Sequence, residues 1–211
     1  MDKSGIAYLV IFAVVATFCF WLDGIIGIVV GIIAILCAMF TLFFFRDPVR
    51  KIPEDAYAIV SPADGVVVAI DEFESAPIGK GQRLAIFMSP LNVHINRAPT
   101  DGEVVSLQRF PGKFYKAFDE RASLENERVD ILLSTSRGNI VVKQIAGIIA
   151  RRIVCRAKVG DTLRKGQKYG IIHFGSRVEI VLPKNADFLV GIGDKVFGGE
   201  TIIAKWLDGG K

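Results

Sequence analysis

The sequence predicts a mainly β fold: a pseudo-symmetric β sandwich, or barrel-sandwich-like domain, preceded by an N-terminal transmembrane helical hairpin. Three observations carry that expectation. Residues 6–22 and 25–45 form two apolar runs without a charge. From Ala58 onward the apolar residues come in short runs bounded by Gly, Pro and Asp, the pattern of closely spaced strands. Two short motifs then return at fixed intervals, so one half of the β domain echoes the other. The apolar fraction of 51% fits one domain plus a membrane anchor.

The apolar runs come first. At about 1.5 Å per residue they reach about 26 and 32 Å, against a hydrocarbon core near 30 Å. Asp23-Gly24 supplies a tight turn between them. Lys3 precedes the first run, and Arg46, Arg50 and Lys51 follow the second. Cations at both outer ends favour a hairpin in the cell membrane with both ends, and hence the β domain, on the cytoplasmic side. A signal peptide followed by one anchor is the competing reading, but no small-residue cleavage pattern follows the first run. A shallow hairpin that does not fully cross stays open.

Phe43-Phe44-Phe45-Arg46 suits the membrane–water interface. Pro48 and Pro53 end the helical region. The expected division is an anchor over 1–45 and a β domain over 46–211.

The predicted strands are Gly65–Ile70, Arg83–Met88, Gly102–Arg109, Val129–Ser134, Ile140–Ile145, Ile148–Val154, Tyr169–Ile172, Val178–Leu182 and Thr201–Trp206. A short helix is expected within Phe114–Asn126. The repeat is explicit. Pro62-Ala63-Asp64-Gly65 returns as Pro99-Thr100-Asp101-Gly102, and Val159-Gly160-Asp161 returns as Ile192-Gly193-Asp194. Each Asp-Gly or Gly-Asp pair is a turn signal beside a β run.

Charge and cysteine usage narrow the function. Of the 26 Lys and Arg only Lys3 precedes Arg46, and of the 22 Asp and Glu only Asp2 and Asp23 do, leaving about +5 on the β domain. That excess suits an anionic lipid surface. No dense basic run or binding motif points to nucleic acid. Cys19, Cys37 and Cys155 form no Cys-x-x-Cys pair, and there are only two histidines, His94 and His173. A disulfide framework and a metal site are therefore not expected.

Few residues are left to carry chemistry. His94 has the residue type of a general acid or base, although a lone histidine among apolar residues is more often a core residue. Asp64 is either a turn former, like Asp101, or a carboxylate that orients a neighbour. Gly175-Ser176, between two apolar runs, reads as a bulge or turn, or as a reactive peptide bond. No Gly-x-Ser-x-Gly elbow surrounds Ser176.

Several blocks in order resemble one family. They are Phe44-Phe45-Arg46-Asp47-Pro48, Ser61-Pro62-Ala63-Asp64-Gly65, Met88-Ser89-Pro90-Leu91-Asn92-Val93-His94, Asn126-Glu127-Arg128, Gln144-Ile145-Ala146-Gly147 with Arg151-Arg152, and Phe174-Gly175-Ser176. The family is the phosphatidylserine decarboxylases, in the short form that includes archaetidylserine decarboxylases. The resemblance implies a zymogen that cuts itself at Gly175-Ser176 into a β chain of 1–175 and an α chain of 176–211. It implies that Ser176 becomes a covalent pyruvoyl group, with no metal. That group would decarboxylate phosphatidylserine or archaetidylserine to the ethanolamine lipid through a Schiff base. His94 matches one of two family histidines, and Asp64 matches an aspartate tied to processing. The second histidine position holds Arg97, a departure from the family pattern. The implied partners are a serine phospholipid and the membrane; a homo-oligomer stays open. The alternative is a non-enzymatic, membrane-tethered lipoyl-like adaptor with a modified Lys195, suggested by the Gly-Asp turns.

Overall fold

The structure is a computed structural model describing residues 1–22, 24–75, 77–116, 119, 121–148, 152–173 and 175–207. Asp23, Arg151 and Phe174, each singled out above, lie outside the described residues. So do parts of the expected Phe114–Asn126 helix and Ile148–Val154 strand. The chain divides into two units, Met1–Pro48 and Val49–Lys211.

The first unit is a pair of helices, α1 (Ile6–Trp21) and α2 (Ile25–Phe44). Their length and apolar composition suffice to cross a membrane, which suggests membrane association. They run antiparallel: the Asp2 N–H donates to the Phe45 carbonyl at 2.8 Å, joining the start of one to the end of the other. Small residues set the contact, with Ala16, Gly31 and Ala34 buried and Gly31 against the Phe20 ring. Thr17 and Thr41 return their hydroxyl hydrogens to the Ala13 and Cys37 carbonyls. Neither threonine hydroxyl is thus presented bare to an apolar surrounding.

The second unit is built on one long sheet. Its strands are β1 (Ala58–Val60), β2 (Gly65–Ser75), β3 (Gly79–Met88), β4 (Ile95–Arg97), β5 (Gly102–Phe110), β6 (Arg128–Thr135) and β7 (Gly138–Ile145). They continue with β8 (Ile153–Cys155), β9 (Thr162–Leu163), β10 (Lys168–Ile172), β11 (Ser176–Pro183), β12 (Ala186–Phe188), β13 (Lys195–Val196) and β14 (Ile202–Trp206). The eight-stranded, curled sheet runs β13-β2-β3-β11-β7-β6-β5-β9, and two small sheets run β1-β14-β12 and β4-β10-β8. The mainly β expectation therefore holds. Two details differ. Among the described residues, the expected helix is α3 (Arg121–Glu125), and the strand expected over Ile148–Val154 is seen as Ile153–Cys155, paired with β10.

The sequence repeat is a structural repeat. β2 and β13 pair in one half as β5 and β9 pair in the other. The Val67 N–H meets the Asp194 carbonyl and the Val104 N–H meets the Asp161 carbonyl, both at 2.9 Å. Gly193 and Gly160 take φ of +96° and +90°, which is why these turns need glycine. The pairing register slips after Val67 in β2 and after Val104 in β5. The small sheets correspond as well, β1-β14-β12 to β4-β10-β8. The second half, β4 to β10, is thus inserted whole between β3 and β11 of the first.

That insertion makes β11 the central strand. It pairs with β3 along Ser176–Pro183 and with β7 along Arg177–Val181. Every residue from Ser176 to Leu182 is buried. Val178, Ile180 and Leu182 enter the core with Leu84, Ile86, Ile131 and Val142. The other face holds charge: Glu179 accepts from Arg177 Nε at 2.8 Å and from Ser123 Oγ at 2.5 Å. Lys143 stands between Glu179 on β11 and Asp130 on β6. Burial raises the Asp130 pKa, because Lys143 and Arg128 offset only part of the desolvation.

A carboxyl with a raised folded pKa costs stability when ionised, and the cost disappears as pH falls through that pKa toward the unfolded value. Asp130→Asn should therefore raise the thermal midpoint at pH 7, with the gain shrinking toward pH 4. Thermal unfolding across that range measures it; a gain that grows on acidification would contradict the assignment.

Candidate active site

The Gly175–Ser176 bond lies where the inserted half returns to the first. In the second half the corresponding pair, Thr135 and Gly138, is joined by the tight turn Ser136-Arg137. In the first half Met88 and Ser176 form that pair, but residues 89–175 intervene. Gly175 has φ of +68°, the left-handed region. A Cβ there would approach nothing closer than Pro90 Cγ at 4.0 Å. Space is open on that side of the bond, and backbone conformation is what selects glycine.

Ser176 is fully buried. Its Oγ lies 3.3 Å from the Met88 sulfur, a weak acceptor. Behind it runs a buried polar chain: Gln144 Nε2 donates to Asn96 Oδ1 at 2.7 Å, and Asn96 Nδ2 points to the same sulfur at 3.8 Å. Met88, Asn96 and Gln144 are all fully buried. The thioether and its amide neighbours thus fix the side-chain position without a strong acceptor holding the hydroxyl.

His94 reaches the bond from the β3–β4 loop. Ser89-Pro90-Leu91-Asn92 forms a turn in which Asn92 Oδ1 accepts from Ser89 N–H and Oγ, both at 2.9 Å. The imidazole is fully buried. Its Nδ1 lies 3.0 Å from the Asn92 carbonyl, and its Nε2 lies 3.2 Å from the Gly175 nitrogen. A carbonyl can only accept and an N–H can only donate, so Nδ1 carries the proton and Nε2 is the basic atom. His173 follows β10 on the adjoining segment, its N–H on the Arg152 carbonyl at 3.2 Å.

Asp64 has other partners. Arg50 Nη2 contacts both its oxygens, at 2.7 and 3.0 Å, and the Gly198 N–H donates to it at 2.8 Å. None of its described contacts reaches His94 or Ser176. The repeat separates its two jobs. Asp101 takes the Lys165 N–H at 2.7 Å in the equivalent turn but is exposed. The turn contact is shared, whereas the buried ion pair belongs to Asp64 alone of the two. Arg50 also donates to Glu200 at 2.9 Å. Burial opposes the Arg50 charge, yet Glu200 and Asp64 outweigh it and raise its pKa. The Lys51 N–H and then Arg50 hold Glu200 below the usual carboxylate range. Arg97, at the second-histidine position, donates to the Gly166 carbonyl at 3.0 Å.

The Asn126-Glu127-Arg128 block also resolves. Asn126 is fully buried and bridges Tyr115 and Ala146, while Arg128 pairs with Asp130 at 3.4 Å and lies over the Phe110 ring. Its visible role is structural. Sequence reasoning missed Met88 and Asn96 as neighbours of Ser176, and Arg50 as the partner of Asp64. Among the described residues no cluster of three or more His, Cys, Asp or Glu could hold a metal ion.

Residues 37–204 match the family model described as Phosphatidylserine decarboxylase. A phosphatidylserine decarboxylase proenzyme of Geotalea uraniireducens is 49% identical over 171 residues, covering 80% of each chain. One of Anaplasma phagocytophilum is 44% identical over 209 residues, covering 97% of this chain and 90% of its own. One of Pelobacter propionicus is 46% identical over 172 residues, or 81% and 78% of the two chains.

The Gly175 geometry yields a graded prediction. An L-residue in the left-handed region costs about 1 kcal/mol, and the space for a Cβ is there. Gly175→Ala should therefore slow any scission at this bond about fivefold without abolishing it. A time course of chain length on denaturing gels measures this; an unchanged rate would show that the conformation is irrelevant.

Proposed function

The chain belongs to the phosphatidylserine decarboxylase family, and from that premise we propose that it cuts its own Gly175–Ser176 bond and then decarboxylates a serine phospholipid. The observation that carries the reading is the seam itself. A buried serine hydroxyl without a strong acceptor adjoins a left-handed glycine, and the basic nitrogen of a buried histidine sits on that glycine's N–H.

The scission uses only groups of this chain. Ser176 Oγ attacks the Gly175 carbonyl carbon; a C–O bond forms, the C–N bond breaks, and the hydroxyl proton ends on the Ser176 nitrogen. Loss of the Ser176 α-proton then expels the Gly175 carboxylate and opens the chain. One water replaces the nitrogen of the remaining unsaturated residue, and ammonia leaves. A pyruvoyl group at position 176 supplies a ketone for the substrate amine and a sink for the electrons left by CO₂. His94 Nε2 takes and returns the protons, with Nδ1–H fixed by the Asn92 carbonyl. Met88, Asn96 and Gln144 hold position 176. Asp64 acts through Arg50, as a positioning residue for the Gly198–Glu200 loop.

The products of the cut, 1–175 and 176–211, stay together because β11 keeps its pairs with β3 and β7, β13 with β2, and β14 with β1. The two apolar helices span the bilayer with both ends cytoplasmic, as Lys3, Arg46, Arg50 and Lys51 favour. The relatives' names favour phosphatidylserine over the ether-linked archaeal lipid as substrate. The adaptor alternative lacks support in the fold. Lys195 opens β13 opposite Val66 instead of standing at a hairpin tip.

Ser176→Ala in the full chain tests the reading. The parent protein should give two chains on a denaturing gel and release CO₂ from phosphatidylserine. The variant should stay whole and release none. Scission in the variant, or CO₂ release by an uncut parent, would overturn it.

A further inference from the structure

The two halves of the repeat differ in one buried layer beside the seam. Matching the Met88–Ser176 pair to the Thr135–Gly138 pair puts Gln144 on β7 at the place of Leu182 on β11. Matching the β4–β10 pairs to the β1–β14 pairs puts Asn96 at the place of Ile59, and Gly170 at the place of Ala204. Ile59, Leu182 and Ala204 all belong to the hydrophobic core. In that half, apolar side chains alone fill the layer. In the half beside Ser176 two carboxamides fill it, and Asn96 and Gln144 are just as buried. Burying an amide carries a desolvation cost that an apolar side chain avoids, so architecture alone does not account for the pair.

Gly170, opposite Asn96 in the ladder, makes room for it. A Cβ there would stand 2.6 Å from the Val154 carbonyl oxygen and 2.7 Å from Gln144 Nε2. The hydrogen bonds also have a direction. The Met88 thioether can accept but has no proton to give, so the side of Asn96 that meets it at 3.8 Å is the NH2. The Asn96 oxygen therefore faces Gln144, which donates to it at 2.7 Å. That arrangement leaves Gln144 Oε1 buried with no partner among the described residues. It holds an N–H toward the same sulfur that the Ser176 hydroxyl meets at 3.3 Å. Since a thioether is a poor acceptor, the Asn96 donor is fixed in place but weakly used.

Scission changes what position 176 presents. The serine oxygen leaves with Gly175, and the α-carbon keeps a methyl group and gains a ketone oxygen, which can only accept. With the chain cut, the bond from that α-carbon to its own carbonyl carbon is free to turn. Sulfur alone would not choose between methyl and oxygen, whereas a fixed N–H draws the oxygen to its side. We propose that Asn96 Nδ2 donates to the ketone oxygen of the cut chain and polarises it toward attack by an amine, and that Gln144 is the positioning residue that keeps the Asn96 amide turned that way. The inference rests on the self-scission reading for the ketone, and on the repeat and the hydrogen-bond directions for the donor.

Carbonyl trapping on the full chain tests it. Methoxyamine, a water-soluble amine that condenses with ketones, is added to the parent, to Asn96→Leu, to Gln144→Met and to the double variant. The mass of the chain from position 176 is followed in time, and only cut chains are scored. The trapping rate should fall about tenfold in Asn96→Leu and by a similar factor in Gln144→Met. The double variant should be no slower than the singles, because Gln144 acts through Asn96. Equal rates in the parent and Asn96→Leu would overturn the donor. Parent-like trapping in Gln144→Met, or losses that multiply in the double variant, would overturn the lock. A second measurement leaves both amides in place. Isotope-labelled asparagine lets the Asn96 side-chain N–H of the cut parent be compared by NMR with that of the uncut Ser176→Ala chain. A gained oxygen acceptor should move the signal downfield; an unmoved signal would overturn the proposal even where the amide variants fail to fold or to cut. A parent that stays whole refutes the self-scission reading and this inference with it, whereas a cut parent whose variants trap normally refutes this inference alone.

Discussion

Ser176 is held by strands that are not its neighbours in the chain. It opens β11 opposite Met88, and the next residue opens the pairing with β7. Everything at the candidate site follows from that wedge. The strand is fixed on both sides and buried on both faces, so its first residue has one position. The peptide bond just before it lies at a junction where the inserted half ends. A break there costs the sheet no pairing, because Met88 and Ser176 are joined through the ladder and not through a turn.

The internal repeat separates architecture from chemistry. What both halves share is turn geometry: the Gly-Asp loops, the slipped pairing after Val67 and Val104, and an aspartate that takes a loop N–H. What only one half has is the buried Arg50–Asp64 pair and a serine where the other half has Gly138. Breaking one side of a buried ion pair costs about 3–5 kcal/mol, so the Arg50 contact ties the start of the β unit firmly to the turn before β2. The same aspartate therefore does a shared structural job and an unshared electrostatic one. Its sequence motif alone leaves those two equally open.

Much of the fold was legible because its signals are local. The uncharged runs needed only length. The strands around Val66, Ile86, Ile131, Val142 and Ile180 showed as β-branched runs between turn residues. The strands that escaped notice, β1, β4, β9, β12 and β13, have two or three residues, too few for any periodicity. The site was legible only in part. Gly175-Ser176 and His94 stood out through family resemblance, and Asp64 through its turn. The Met88 sulfur, the Asn96–Gln144 chain and the Arg50 clamp were invisible because they depend on which strands become neighbours. Met88 and Ser176 are 88 positions apart, and nothing in either local pattern announces the contact.

The most direct measurement is the intact mass of the full chain extracted from membranes and unfolded before analysis. The account predicts two species: residues 1–175, and a 36-residue chain from position 176 that is lighter by one ammonia than the same chain beginning with serine. A single species carrying all 211 residues, with an ordinary serine at position 176, would contradict it.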